Sequence, residues 1–257
     1  MLGIIGGLGP KATAQLYLRL TERLATRGSS DLPELLIHSV PMTRRIENAF
    51  LRGQVDPRAP ELVQTRAMLT DAVVRLVGGG ARRIIMPCNT LQGELRRICA
   101  EREVGHLDMV DATCEAVVDS GVRRPLVLAT TTTCRSDIYG ARLRQCGVEC
   151  RYPDEAVQEL VEAHIRGALD LQRQPRGHEL IDILRASTCD GVVIACTDIS
   201  TELVARFEGA VFDSLDCLAM QASRWIAHGV PEVAIAQCEP RRAEPRRGLV
   251  DEVLGGR

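Results

Sequence analysis

Lysine is almost missing from this chain: Lys11 is the only one among 32 lysine and arginine residues. A pyridoxal-phosphate enzyme needs a lysine amine for its Schiff base, and Lys11 sits beside a Gly-Pro turn at the start of the first helical segment. Pyridoxal chemistry is therefore not expected. Strong net charge is absent too: the total is -2 over 257 residues, which gives no reason to expect nucleic acid or an anionic membrane surface as a partner. No stretch approaches the roughly 20 uninterrupted apolar residues of a membrane helix. The opening MLGIIGGLGP lacks a cationic segment and a small-residue cleavage site, so it reads as a first buried strand and not as a signal peptide. Histidines at 38, 106, 164, 178 and 228 are scattered without ligand spacing, so no metal site is expected. Cys146 and Cys150 lie four apart but have no second pair to complete a zinc site.

Short runs rich in Ile, Leu and Val alternate with segments of helical period. Strands are expected at 2–5, 34–39, 83–86, 105–109, 124–128, 149–151, 191–195 and 210–212. Helices are expected at 12–26, 60–77, 91–101, 111–120, 135–146, 154–171, 177–186 and 215–228. That alternation is the mark of an α/β fold with mainly parallel sheets flanked by helices. The end of the chain, 237–257, alternates Pro, Arg and Glu with little apolar content and is expected to be loosely ordered.

Two segments resemble one another. Arg82–Thr90 reads RRIIMPCNT and Asp190–Asp198 reads DGVVIACTD: each is a strand, then cysteine with two polar residues, then a helix. The matched contexts suggest two pseudo-symmetric lobes, 1–100 with 210–230 and 101–209, each offering one cysteine at a strand's C-terminal edge. A ligand is expected in the crevice between them. Two opposed thiols, one ionised and one protonated, suit the removal of a proton from one face of a carbon and its return to the other. The turn between strand and helix is expected to lower a thiol's pKa through backbone N–H groups and the helix dipole. Asn89, Thr90 and Thr197 are placed to hydrogen-bond a substrate carboxylate. An isolated cysteine would more simply be an inert buried thiol, and Cys99, Cys114, Cys134, Cys189, Cys217 and Cys238 are expected to pack as small apolar side chains or to lie exposed. Cys134 stands apart, directly after a run of threonines.

The chain resembles the aspartate/glutamate racemase family over nearly its whole length to about Ala227. The likeness rests on GIIGGLGP at the start, MPCNT at Met86–Thr90, LATTTT at Leu128–Thr133 and ACTD at Ala195–Asp198, in that order. The resemblance implies a two-lobed fold, no cofactor, catalysis by Cys88 and Cys196, and pairing into homodimers; a cytoplasmic location is expected from the ten cysteines, which in a chain this long and without crowding fit a reducing compartment better than a disulfide scaffold. It also implies substrate contacts from the loop holding Leu8 and Gly9 and from Thr130, Thr131 and Thr133. Three departures bear on the substrate. Asp198 stands where the family often has Glu, and Leu91 and Gln92 follow the CNT where a small residue or Met and then His is usual. A lysine of the aspartate-specific members falls on Glu159 or Gln158, and an acidic side chain there would repel a second carboxylate. Plain aspartate is thus not implied.

Arg44 and Arg45 follow the second expected strand in what reads as a loop, where a guanidinium could grip a carboxylate with two parallel hydrogen bonds. Asp198 would hydrogen-bond the substrate's ammonium or orient Cys196. Gly7-Leu8-Gly9-Pro10-Lys11-Ala12 matches the G-x-G-x-x-A of a dinucleotide site. Pro10 removes a backbone donor where a pyrophosphate would bind, and no acidic residue ends the next strand, so a turn delivering backbone to a small-molecule substrate is the better reading. The leading expectation is a cofactor-independent racemase or epimerase of an acidic or other polar α-amino acid. The alternatives are a cis–trans isomerase of an unsaturated diacid using a nucleophilic cysteine, and a non-catalytic small-molecule-binding protein on the same fold.

Overall fold

The computed structural model describes residues 1–26, 33–51, 58–169, 188–204 and 207–228. The expected helix at 177–186 and the C-terminal 237–257 lie outside the described residues.

Two parallel sheets organise the chain. The first carries β1 (Leu2–Gly6), β2 (Leu35–Ser39), β3 (Arg83–Ile85) and β4 (Gly105–His106) in the order β2-β1-β3-β4. The second carries β5 (Pro125–Leu128), β6 (Gly191–Ile194) and β7 (Ala210–Asp213) in the order β5-β6-β7. Outside β5, Leu126 forms a single parallel bridge to Arg151. The second sheet therefore repeats the first: β5 matches β1, the bridge at Arg151 matches β2, β6 matches β3 and β7 matches β4. In both, the crevice opens where neighbouring connections leave in opposite directions, at the C-terminal ends of the two central strands.

The central strands alternate their buried side chains between two helical layers, as doubly covered strands must. Leu2, Ile4 and Ile85 pack beneath α1 (Pro10–Thr26) and α9 (Ser214–His228). Ile5 and Ile84 pack on the other face, against α3 (Pro60–Gly78) and α4 (Gln92–Glu101). In the second sheet Leu126, Leu128, Val192 and Ile194 face α8 (Glu155–Leu169), while Val127 and Val193 face α5 (Met109–Ser120) and α7 (Ile138–Gln145). A 3₁₀ turn at Thr201–Val204 follows β6.

Four expectations change. The strand at 149–151 is only the bridge at Arg151, whose N–H and C=O bond Pro125 and Val127. The segment 105–109 pairs for two residues only, because Asp108 turns to cap α5, accepting from the Val110 and Asp111 N–H groups. The helix at 135–146 is two helices, α6 (Thr131–Ser136) and α7, separated by left-handed Asp137 (φ 51°). The segment holding Arg44 and Arg45 is helical: α2 spans Arg44–Leu51. The lobe boundaries shift with them, since β4 belongs to the first sheet and β7 to the second, while α9 returns to pack on α1.

Asp108 ties the lobes at the start of α5. Its buried carboxylate pairs with Arg96 of α4, and Arg96 also reaches Asp111, which pairs with Arg142 of α7. Burial pushes the Asp108 pKa up, but His106, the Arg96 charge and the Asp111 N–H outweigh it and leave the pKa below its ordinary value. With the folded pKa depressed, this contribution to stability is present above the ordinary carboxylate range and is lost as pH falls through the lowered value. Asp108→Ala removes a cap and a buried ion-pair partner, with an expected cost of about 2–4 kcal/mol in chemical denaturation. That loss should shrink in acid.

Candidate active site

Loops at the C-terminal ends of the central strands meet across the two halves. The cavity between them has a volume of about 570 Å³ with its open mouth included, and Cys88 and Cys196 both line it. Cys88 follows β3 and Cys196 follows β6, the equivalent strand of the other sheet. Cys196 is buried and Cys88 is partly exposed.

Each thiol stands at a chain reversal where backbone N–H groups turn toward it. Burial raises Cys88 to about 11, opposed by the Leu91 and Thr90 N–H groups and reinforced by the charge of Asp198. Cys196 is also raised by burial and then by Asp198, with the Asp198 and Ile199 N–H groups opposing and the Cys88 charge adding to the rise. The expected amide stabilisation is present, but desolvation outweighs it, so the expectation of lowered thiol pKa values is corrected. Asp198 itself is raised to about 6, chiefly by burial and then by the charge of Glu47, with Lys11 acting in the opposite sense. Asp198→Asn removes a negative charge that raises both thiols. We expect the alkaline limb of the activity profile to move to lower pH in this variant, measured as kcat/KM from pH 6 to 10.

The remaining polar wall is pre-arranged. The Asn89 side chain is nearly sealed: its Oδ1 accepts from the buried Tyr139 hydroxyl at 2.5 Å and its Nδ2 donates to Ser214 Oγ at 2.9 Å. Thr90, Thr130 and Thr133 hydroxyls form a triangle with sides of 3.0–3.1 Å that joins the two halves. Thr130 is also the N-cap of α6, accepting from the Thr133 N–H. Gln92 donates to the Met86 and Cys88 carbonyls and so pins the turn that carries Cys88.

Several expected site residues line the cavity: Leu8, Asn89, Thr90, Thr130, Thr197 and Asp198. Others do not. Gly9 is occupied with Thr13, whose N–H and hydroxyl both donate to its carbonyl. Thr133 takes part through the hydroxyl triangle, not at the wall. Thr131 faces α8, donating its N–H to the buried Glu162 carboxylate at 3.0 Å and accepting from Gln158. Arg45 points outward, with its side chain 71% exposed and paired to Glu61 at 2.7 Å. The expected carboxylate grip by Arg45 is thus not made, because α2 places this residue beside α3. Arg44 is the first residue of α2. Glu159 is exposed, and Gln158 bonds the Ala129 carbonyl, so neither residue meets the cavity. Instead α8 presents Ile165 and Leu169, and the segment around α2 presents Met42 and Glu47. Sequence reading missed these four. Ile165 and Leu169 continue the apolar stripe of α8 from Val161, and that stripe reads as core until the lobes are seen to diverge over its last turns. Glu47 has no signal in the sequence, where the charged opening of its segment reads as a loop.

Comparison with known proteins decides what this arrangement belongs to. The sequence model of the Asp/Glu/Hydantoin racemase family matches residues 5–222. The chain belongs to this family. The racemase-family chain is also 25% identical to the broad specificity amino-acid racemase RacX of Bacillus subtilis (strain 168) over 227 residues, covering 85% of this chain and 95% of that protein. Its fold matches the aspartate racemase homologue of Pyrococcus horikoshii OT3 with TM-score 0.67 at 24% identity, over 88% of this chain and 98% of the other. The Picrophilus torridus aspartate racemase matches with TM-score 0.64 at 23% identity, over 88% and 93%. At those identities the two structures speak for the fold: the racemase-family chain is an α/β protein with two parallel sheets flanked by helices. Among its described residues, no group of three His, Cys, Asp or Glu could hold a metal ion, and no helix is long and apolar enough to cross a membrane.

Proposed function

We propose that this protein is a cofactor-independent amino-acid racemase in which Cys88 and Cys196 exchange the α-proton of one substrate from opposite faces. The observation that carries the reading is the pair of thiols on equivalent strand ends, lining one cavity. The substrate's α-carboxylate is received by the Thr90 and Thr130 hydroxyls and by Thr197, and its ammonium by Asp198. The Cys88 thiolate removes the α-proton, leaving a carbanion whose charge spreads into the hydrogen-bonded carboxylate. The Cys196 S–H then delivers its proton to the opposite face, and the reverse reaction exchanges the two roles. Burial raises both thiols, and the charge of Cys88 adds to the rise at Cys196, so in the empty site the Cys88 thiolate is the less costly of the two to form. A substrate ammonium beside both sulfurs lowers the cost of forming either thiolate.

Schiff-base chemistry has no support in this site: the only lysine, Lys11, is exposed on α1 and is not among the residues of the cavity wall. Pairing into homodimers and residence in the cytoplasm belong to the same proposal, and sedimentation equilibrium tests the first. The direct experiment incubates the purified protein, with no added cofactor, with single L- and D-amino acids and separates the products on a chiral column. Inversion of at least one amino acid is expected. A covalent thioether on Cys88 with an unsaturated diacid would support the isomerase instead. Ligand-dependent melting shifts without any inversion would support a non-catalytic binder.

A further inference from the structure

Asn89 directly follows Cys88, yet its side chain is turned into the protein. The residue is 3% exposed, and both ends of its amide are engaged: Oδ1 accepts from the Tyr139 hydroxyl at 2.5 Å and Nδ2 donates to Ser214 Oγ at 2.9 Å. These partners come from the other half of the molecule. Tyr139 lies on α7, and Ser214 follows β7 of the second sheet. Thr90, the next residue, reaches the same half through Thr130 and Thr133. The turn that carries Cys88 is therefore registered on the second half by two consecutive side chains.

Tyr139 links the two thiol-bearing segments. Its ring is fully buried, in one packed cluster with Val193 and Ala195, and Ala195 immediately precedes Cys196. Its hydroxyl ends on the residue after Cys88. Burial holds the phenol well above its ordinary pKa, so it stays protonated and keeps donating through neutral and alkaline pH. Without this donor the buried Asn89 carbonyl oxygen is left unpaired, and a shift of its turn toward the cavity relieves it. Proton transfer at both faces of one carbon tolerates little displacement of either sulfur. We propose that Tyr139 is a positioning residue: anchored beside the strand that carries Cys196, it holds Asn89 and so sets where Cys88 stands across the substrate. Asn89 then acts on the thiol turn and not on the substrate carboxylate. This inference deepens the two-thiol reading above and rests on it.

The test uses Tyr139→Phe, which keeps the ring, and Ser214→Ala, which frees Asn89 from its other end. Tyr152→Phe is the control, since it removes a hydroxyl of the same lobe that bonds Gly140 and Asp137 instead. The probe is whichever of the common chiral amino acids, taken singly, the native protein inverts fastest, supplied as each enantiomer with protium or deuterium at the α-carbon. Tyr139→Phe and Ser214→Ala should each lose about tenfold to a hundredfold in kcat, as a slightly misplaced reacting group does, with KM little changed. The isotope effect on kcat/KM is the readout that a packing role would not move. With Cys88 displaced, its proton transfer limits the rate. The effect should therefore grow from the enantiomer that Cys88 deprotonates and shrink from the mirror image. Cys196→Ala, which leaves Cys88 as the base, identifies that enantiomer by slow exchange in deuterated water. Tyr152→Phe should keep both native isotope effects. Thermal melting shows which variants are folded, and Ser214→Ala carries the comparison alone if Tyr139→Phe is not. Native kcat in the folded variants, or a loss of kcat with native isotope effects, would overturn the proposal. So would a raised KM at native kcat, which would make Asn89 a substrate ligand, or the same isotope shift in the control. Each of these results leaves the racemase reading standing, because the native protein still inverts the probe. If the native protein inverts no amino acid, that reading falls and takes the proposal with it.

Discussion

Cys88→Ala and Cys196→Ala should each lower racemisation by about a thousandfold or more, within the range that a positioned acid or base contributes. Neither substitution should unfold the protein. Cys88 is partly buried against the core around Met86 and Leu91, and Cys196 packs beside Ile194 and Ile199, so each replacement removes one sulfur from an otherwise filled site. The expected stability loss is about 1–2 kcal/mol, to be checked by melting alongside the activity assay. Two properties separate a paired mechanism from two independent thiols. The double variant should be hardly worse than either single one, because groups that act as a unit lose their effect together. The single variants should also be asymmetric: with one thiol left, a protein can still draw a proton from the enantiomer that faces it, but it has no acid on the other side. Slow exchange of one enantiomer without inversion is therefore expected from each variant, with opposite enantiomers for the two.

The second large effect is structural and lies at the other edge of the same crevice. Gly7 has φ +87°, and a Cβ placed on it would come within 2.2 Å of the Val40 carbonyl oxygen and 2.8 Å of Ser39 Oγ. Those atoms lie at and just past the end of β2, where the Val40 N–H bonds the Gly6 carbonyl at 2.9 Å, so the nearest obstacle is backbone and cannot swing aside. The Gly7 N–H also donates to Thr13 Oγ1, which fixes the first turn of α1. Gly7→Ala combines left-handed strain with displacement of β2 from β1, and should cost about 3 kcal/mol or more. For a chain of this length that is a fall in Tm of about 10 °C. Leu8, which lines the cavity, moves with the turn, so activity should fall even at low temperature. Gly9→Ala is the internal control. It shares a positive φ, +128°, but its nearest neighbour would be Ala12 Cβ at 3.5 Å, and its loss should be clearly smaller.

These two sites differ in how they could be read from the residues alone. The thiols were legible because the repeat RRIIMPCNT and DGVVIACTD places each after a short apolar strand, and the register of two parallel sheets then carries both to one crevice. The glycine turn was legible as a turn, since Gly-Leu-Gly-Pro cannot continue β1. Its obstacle, Val40, is 33 positions along the chain and became visible only in the register of β1 with β2. The short elements were the hard ones. At 149–151 the strand has one bridge, and no pattern in three residues tells one bridge from a full ladder. At Arg44–Leu51 a helix of eight residues follows the strand after only a few positions, and its charged opening looks like a loop. That omission had a chemical consequence, for α2 sends Arg45 to Glu61 and turns Glu47 to the cavity. On α8 the difficulty is rotational: Gln158 and Glu159 lie off the cavity-facing stripe, which runs through Ile165 and Leu169. The thiol pKa values depart from the sequence expectation for a third reason. The N–H groups at the turns are local and readable, whereas the burial that outweighs them is a property of the assembled lobes.

The measurement that tests the two-faced thiol pair most directly follows deuterium at the α-carbon during the first few per cent of inversion of a single enantiomer in deuterated water. If one sulfur takes the proton and the other, already exchanged with solvent, supplies its replacement, the newly formed enantiomer carries deuterium while the recovered starting enantiomer remains protiated, and the same holds beginning from the mirror image. Protium retained in the product, or deuterium entering starting material and product at equal rates, would mean that a single group serves both faces and would contradict the account.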